Sequence, residues 1–185
     1  VGAGQAGLIT SYHLTQHQHE HIVLDRSAKA AFNWRNRCWD SLKLVTPNWA
    51  LFRIPGAKHD HAKRDEFMSR DEVIRFFDNY IAEFDLPVKF NTPVISVAPG
   101  KNAGFLIQTD KNGYEAKNVV IATGYCQAPK IPSVAKHISS DIFQMHSNEY
   151  RNPRLLPGGA VLVVGSGHSG CLIAEELNNS GRKVF

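Results

Sequence analysis

Apolar positions along this chain change their period several times, and each change marks an element. Ala6, Ile9 and Tyr12 recur at helical spacing behind a glycine-rich turn at 2–7, which predicts a helix there. A short apolar run, His21 to Leu24, predicts a strand ending on Asp25. From Phe32 to Pro55, Trp34, Trp39 and Trp49 are scattered among Asn and Pro without a sustained period, so this stretch is expected to be an irregular, partly buried excursion. Ser69, Arg70, Asp71 and Glu72 form a capping box, and Val73, Phe77, Tyr80, Ile81 and Phe84 then fall on one helix face. That helix should end before Pro87.

At Val88 the period becomes two. Val88 and Phe90 flank Lys89, and Ile95 and Val97 flank Ser96 beyond Pro93, a residue tolerated where a strand starts. A turn is expected over Pro99 to Gly104, a strand over Phe105 to Thr109, and a two-residue hairpin turn at Asn112 and Gly113. The runs Asn118 to Ala122 and Ala160 to Val164 read as buried strands, the first closing on Thr123 and Gly124. Between them Gln127 to Pro132, with two prolines, reads as a linker. After Gly165 to Gly170, Cys171, Ile173, Ala174 and Leu177 predict a helix to about Ser180, and Arg182 to Phe185 begins another strand.

Composition narrows the partners. The 185 residues allow one domain and part of a second, and 43% hydrophobic content suffices for a soluble globular core. The net charge of +4 is dispersed: Lys63 and Arg64 are followed at once by Asp65 and Glu66, so nucleic acid is not an expected partner. Cys38, Cys126 and Cys171 stand far apart with no CxxC spacing, which fits thiols in a reducing compartment. No membrane span and no signal peptide can be discerned, so a cytoplasmic location is expected. The chain lacks an initiator Met and opens directly on a glycine loop, so a piece of a longer polypeptide, cut at both ends, is expected.

Two glycine hexapeptides carry the chemistry. Gly2, Ala3, Gly4, Gln5, Ala6, Gly7 and Gly165, Ser166, Gly167, His168, Ser169, Gly170 both fit GxGxxG, and each stands where a strand meets a helix. In such a turn the first glycine permits the tight bend, the second admits a pyrophosphate to the backbone, and the third lets helix and strand pack closely. The helix N-terminus then offers unpaired N–H groups and about half a positive charge. Asp25, 23 residues after Gly2, is placed to accept from both ribose hydroxyls and would repel a 2′-phosphate, so the first loop should take FAD or NAD. The matching position after Gly165 would fall beyond Phe185, which leaves NADP against NAD open at the second loop.

With these features in sequence order, the chain resembles the flavin-containing monooxygenases, the class B flavoprotein monooxygenases with two dinucleotide-binding domains. The likeness rests on the GAGQAG start, Trp34 and Arg35, the Leu44 to Pro47 segment, ATGY at Ala122 to Tyr125, and GSGHSG followed by Ala174 to Leu177. It covers essentially the whole chain and about half of a typical member. It implies an α/β fold: a Rossmann-like FAD-binding domain with a β-meander insertion over 1–126, a linker over 127–158, and the start of a second Rossmann-like NAD(P)H-binding domain over 159–185. It places the FAD diphosphate on Gly2, Gly4, Gln5, Ala6 and Gly7, and the ribose on Asp25 with Arg26 beside it. Trp34, Arg35 and Thr46 would lie along the flavin, Val94 at the adenine, and Ala122, Thr123 and Gly124 close to the cofactor. NADPH would sit on Gly165 to Gly170, with His168 and Ser169 toward the nicotinamide.

Two positions depart from the family. The monooxygenase fingerprint ends in a His with an aromatic residue four further on, as His146 and Tyr150 do, but its Phe and Gly are replaced by Ser140 and Ile142. Where relatives place an Asn before the flavin-facing Pro, this chain has Val45, with Asn48 as a candidate substitute. The activity implied is an NADPH-dependent flavin monooxygenase, in which O2 adds at the reduced flavin's C4a carbon and one oxygen passes to a small nucleophilic or lipophilic substrate. A reductase that passes electrons to a disulfide or another acceptor, and a non-catalytic FAD sensor, stand as alternatives. No acid/base pair is conspicuous, so no catalytic side chain is assigned. His13, His17, His19 and His21 lie where a helix gives way to a strand, without a Cys or second HxH partner; they read as a solvated turn rather than a metal site, as do His59 and His61.

Overall fold

The structure, a computed structural model, describes residues 1–58, 60–125 and 127–185. His59 and Cys126 therefore lie outside the described residues. The fold is α/β, with both parallel and antiparallel pairing, and it divides into two compact units. The first comprises Val1–Arg35 and Lys43–Gln127, the second Asn36–Leu42 and Ala128–Phe185.

In the first unit, helix α1 (Gln5–Gln16) follows the first glycine loop and leads to strand β1 (Val23–Leu24). β1 pairs in parallel with β2 (Val88–Lys89), Val23 opposite Val88. On its other side the Leu24 carbonyl accepts the Gly2 N–H at 2.8 Å, and the Val1 carbonyl accepts the Ala122 N–H at 2.8 Å. Backbone neighbours thus run 88, 23, 1, 122, an order that differs from the chain's and centres on the glycine loop. Parallel strands need crossover connections, and α1 supplies the first.

Helix α3 (Arg70–Glu83) has the predicted capping box: Ser69 Oγ accepts from the Glu72 N–H, and Glu72 accepts from the Ser69 N–H at 2.8 Å. The bonds that the Glu72 carboxylate accepts from the Ser69 N–H and from the Ser69 hydroxyl depress it below its ordinary range. Its predicted face is buried at Val73, Phe77 and Tyr80, against Leu8, Val23, Ile54 and Leu86. Each such side chain contributes roughly 1.5–3 kcal/mol by leaving water. α1 differs from expectation. Its deepest stripe is Gly7, Leu8 and Ser11 rather than Ala6, Ile9 and Tyr12, because apolar residues surround the helix and the period alone selects no face. The buried Ser11 hydroxyl is hydrogen-bonded to His21 Nε2 at 2.8 Å, which makes His21 a structural partner.

The meander forms as predicted: β3 (Val94–Pro99), β4 (Phe105–Thr109) and β5 (Gly113–Ala116) make a three-stranded antiparallel sheet, with a bulge between Val94 and Ser96. Its second turn is not the two-residue Asn-Gly type. Gln108 pairs with Gly113, and Thr109 organises the four intervening residues: its hydroxyl donates to the Asn112 carbonyl at 2.7 Å and accepts from the Asn112 N–H at 2.9 Å. The excursion from Phe32 contains a short helix, α2 (Phe32–Asn36), and a 3-10 turn, Asn48–Arg53, so it is more ordered than its lack of period suggests.

In the second unit, α4 (His168–Asn179) packs Ile173 and Leu177 against Trp39 and Tyr150, with Val161 bridged in parallel to Val184. Two expected buried strands are corrected here. Val120 is 50% and Ile121 62% exposed, and Leu162 and Val164 are 67% and 70% exposed. Each segment is extended and bonded on one side, to Val1 and to Lys183–Phe185 respectively, but among the described residues its outer face has no covering layer. Among the described residues no helix is long and apolar enough to cross a membrane, and among them no group of three or more His, Cys, Asp or Glu side chains is gathered as for a metal.

Candidate functional site: two glycine cradles

At the first cradle each glycine has a measurable reason. Gly2 has φ +105°, and a Cβ there would stand 2.5 Å from the Ala122 carbonyl oxygen. A Cβ on Gly7 would collide with the Gly2 carbonyl, so α1 lies directly against the turn. A Cβ on Gly4 would meet nothing within 4 Å, so that face of the backbone is open to a ligand. Gly4 is the N-cap of α1 and provides no side-chain cap, and Gln5, Ala6 and Gly7 bring no acid to the first turn. α3, in the same unit, is capped and carries Asp71 and Glu72 in its first turn, so α1's uncapped N–H groups contrast with a fully served neighbour.

Asp25 closes this cradle. Its Oδ2 accepts from the Ala3 N–H at 2.6 Å and its Oδ1 from the Ser27 N–H at 2.7 Å. A carboxylate has about four lone-pair sites, so two remain while the other two hold the loop. The Ala3 carbonyl in turn accepts from the Ala31 N–H, 3.4 Å away, and Ala31 is left-handed with φ +58°. Nothing in the Ala30–Ala31 sequence signals this conformation, which is held by burial: Ala30 is 1% and Ala31 5% exposed.

The second cradle repeats the geometry. Gly165 has φ +117°, a Cβ on Gly170 would collide with the Gly165 carbonyl, and Gly167, the N-cap of α4, has nothing within 4 Å of its would-be Cβ. No side-chain cap and no first-turn acid accompany it. Ser166 is exposed in the loop, His168 and Ser169 are exposed at the start of α4, and the Cys171 thiol donates to the Ser166 carbonyl at 3.4 Å.

The remaining predicted residues are not all gathered at a loop. Ala122 is, through its contacts with Gly2 and Gly7. Thr123 and Gly124 (φ +77°) follow it, and Gln127 donates to the Thr123 carbonyl while accepting from Arg26 at 3.0 Å. The Arg26 guanidinium lies 5.5 Å from the centre of the Phe32 ring. Trp34 is half-buried against the core of the first unit. Arg35 Nε donates to the Ala30 carbonyl at 2.9 Å, and the guanidinium pairs with Asp78 on α3 at 2.5 Å, which braces the 30–31 bend from behind. No local pattern signals that pair, whose members are 43 residues apart. Thr46 is exposed in a bend, and Val94 starts β3 opposite Thr109, half-buried. Asn48 cannot serve as the substitute considered for Val45. It is 6% exposed, its amide donating to the Lys63 carbonyl and accepting from the Met68 N–H, both at 2.9 Å.

Comparison with known proteins identifies the family. The profile of the family described as pyridine nucleotide-disulphide oxidoreductase matches residues 1–185. The uncharacterized oxidoreductase CzcO of Bacillus subtilis is 42% identical over 178 residues, 96% of this chain and 50% of that protein. The probable indole-3-pyruvate monooxygenase YUCCA10 of Arabidopsis thaliana is 32% identical over 188 residues, 98% of this chain and 49% of that protein. The solved flavin-containing monooxygenase from Stenotrophomonas maltophilia superimposes with a TM-score of 0.81 at 25% identity, covering 99% of this chain and 54% of that one. The chain spans about half the length of the curated relatives it matches. The resemblance to flavin monooxygenases is borne out.

Proposed function

This chain belongs to the pyridine nucleotide-disulphide oxidoreductase family, and from that premise we propose that it is the paired-cradle part of an FAD- and NAD(P)H-dependent oxidoreductase of the flavin monooxygenase type. The observation that carries the reading is the duplication: two uncapped helix N-termini, each with an open second glycine and a third glycine pressed against the first. An uncapped helix end presents oriented N–H groups and positive dipole to an anion, and two such ends in one chain suit two diphosphates.

The first cradle, Gly2 to Gly7, holds the FAD diphosphate, with Asp25 accepting from the ribose through its remaining lone pairs and Ala122 to Gly124 lining the approach. Gly165 to Gly170 hold the diphosphate of NAD(P)H. The flavin supplies hydride acceptance and reaction with O2. The chain's own residues bind, orient and exclude water, consistent with the lack of a conspicuous acid/base pair. The oxygen acceptor is a small nucleophilic or lipophilic molecule.

The test uses the full-length polypeptide. It should purify yellow, release FAD on heating and be bleached by NADPH or NADH under nitrogen. Air in the presence of an amine, sulfide or ketone should then give the oxygenated product. Peroxide alone would favour electron transfer without oxygenation, and a colourless protein indifferent to NAD(P)H would overturn the reading.

A further inference from the structure

Tyr150 is the aromatic residue four positions after His146, and it is 2% exposed. Its ring packs with Trp39, the centroids 6.5 Å apart, among Ile173 and Leu177 of α4. Its hydroxyl donates to Glu176 Oε2 at 2.7 Å. Burial and the Glu176 carboxylate both push the phenol above its ordinary range, so it remains protonated and donating.

The backbone around Tyr150 is fixed independently. Arg151 donates to the carbonyls of Asn148, Tyr150 and Asn36, while its own carbonyl accepts from the Asp40 N–H at 2.9 Å. Asn152 donates to Asp40 at 2.7 Å. Beyond the C-terminal end of α4, Arg182 donates to the carbonyls of Pro153, Leu156, Pro157 and Gly159. α4 is therefore tied to the 146–159 segment at two places, Glu176 within it and Arg182 after it. Its two buried apolar residues, Ile173 and Leu177, lie one turn apart on a single stripe. Apolar contact is non-directional and leaves rotation and slip of a helix weakly opposed, whereas a short charge-assisted hydrogen bond fixes both. The N-terminus of this same helix is the second cradle.

We propose that Tyr150 is a positioning residue for the second cradle: through Glu176 it sets the rotation and height of α4, and hence where the Gly165–Gly170 N–H groups point. The inference rests on the assignment of that cradle to NAD(P)H. It predicts that losing the hydroxyl weakens the nicotinamide cofactor's hold while leaving flavin content and the turnover rate at saturation in place.

The experiment compares the full-length, flavin-loaded protein with Tyr150→Phe, which keeps the ring, Glu176→Ala, which removes the acceptor, and Glu176→Gln, which keeps one. Tyr150→Phe and Glu176→Ala should each raise the Kd for NADP+ and the KM for NADPH about 5- to 20-fold, the share of one charged hydrogen bond transmitted to the loop, with kcat within about twofold. Glu176→Gln should recover most of the affinity, and Tyr150→Phe combined with Glu176→Ala should be no worse than either alone. Amide exchange at 165–170, measured without nucleotide, should quicken in the two weakened variants. Unchanged Kd and unchanged exchange in both would overturn the proposal, as would equal losses of kcat and flavin. A wild-type protein that fails to bind NADP+ would instead refute the cofactor assignment, and the exchange data would still decide whether Tyr150 fixes the loop.

Discussion

Asp25→Asn is the substitution whose cost follows most directly from geometry. The carboxylate accepts two backbone N–H groups, from Ala3 at 2.6 Å and from Ser27 at 2.7 Å, one on each oxygen. Hydrogen bonds to a charged acceptor contribute about 1.5–3 kcal/mol each. An asparagine amide has one carbonyl oxygen and one NH2, so one N–H keeps an acceptor while the other faces a donor. Asp25 is half-buried, and water softens the loss, so we expect about 2–4 kcal/mol, a factor of roughly 30 to 1,000. Part should appear in the apoprotein, as a lower urea midpoint, since the loop is braced before any cofactor arrives. The rest should appear as weaker FAD binding, followed by quenching of free flavin fluorescence in the full-length protein. An Asn variant with an unchanged midpoint and an FAD affinity within about threefold of wild type would refute the role assigned to the carboxylate.

Gly7→Ala should remove flavin and Gly170→Ala should remove NAD(P)H binding while flavin stays, because each Cβ would strike the carbonyl of the first glycine in its own loop; FAD content and NADP+ titration separate the two. Tyr80, whose hydroxyl donates to the Pro55 carbonyl at 2.7 Å, is pushed up to about 12 by burial from its ordinary 10.0. The folded state therefore holds the phenolic proton more tightly than the unfolded chain, so this stabilisation is whole below pH 10 and falls away as pH climbs toward 12; Tyr80→Phe should abolish that part of the alkaline decline in unfolding free energy. Ser11→Val should destabilise by about 1–3 kcal/mol in urea titration, since it removes the partner of His21 and forces a larger side chain into a site 1% exposed.

What was legible in the amino acids is what short-range backbone chemistry decides. The α3 capping box and its apolar face depend on residues within one or two turns, and the helix begins at Arg70 as read. The burial of Ser11, the Thr109-centred hairpin and the departure of Trp39 into the second unit depend on partners that no local pattern announces. The apolar runs Asn118–Ala122 and Ala160–Val164 predict burial, yet burial belongs to whatever covers an extended segment and not to the segment itself.

The two glycine loops set both kinds of information side by side. The contact that forbids a side chain at the third glycine is made with the first glycine of the same hexapeptide, five residues away, and it recurs identically at Gly7 and Gly170. The crowding that a side chain on the first glycine would meet comes from an extended segment 120 positions away in the sequence: a Cβ on Gly2 would strike Ala122, while among the described residues nothing lies within 4 Å of a Cβ on Gly165. A hexapeptide motif therefore specifies the fit of helix to turn, and with it the anion-binding N–H groups, wherever it occurs. The wall beside the first loop is supplied by a distant segment, Ala122. That division is why diphosphate binding can be argued for both loops from six residues each, whereas the contacts of Arg35, with the Ala30 carbonyl and with Asp78 on α3, follow only from the folded chain.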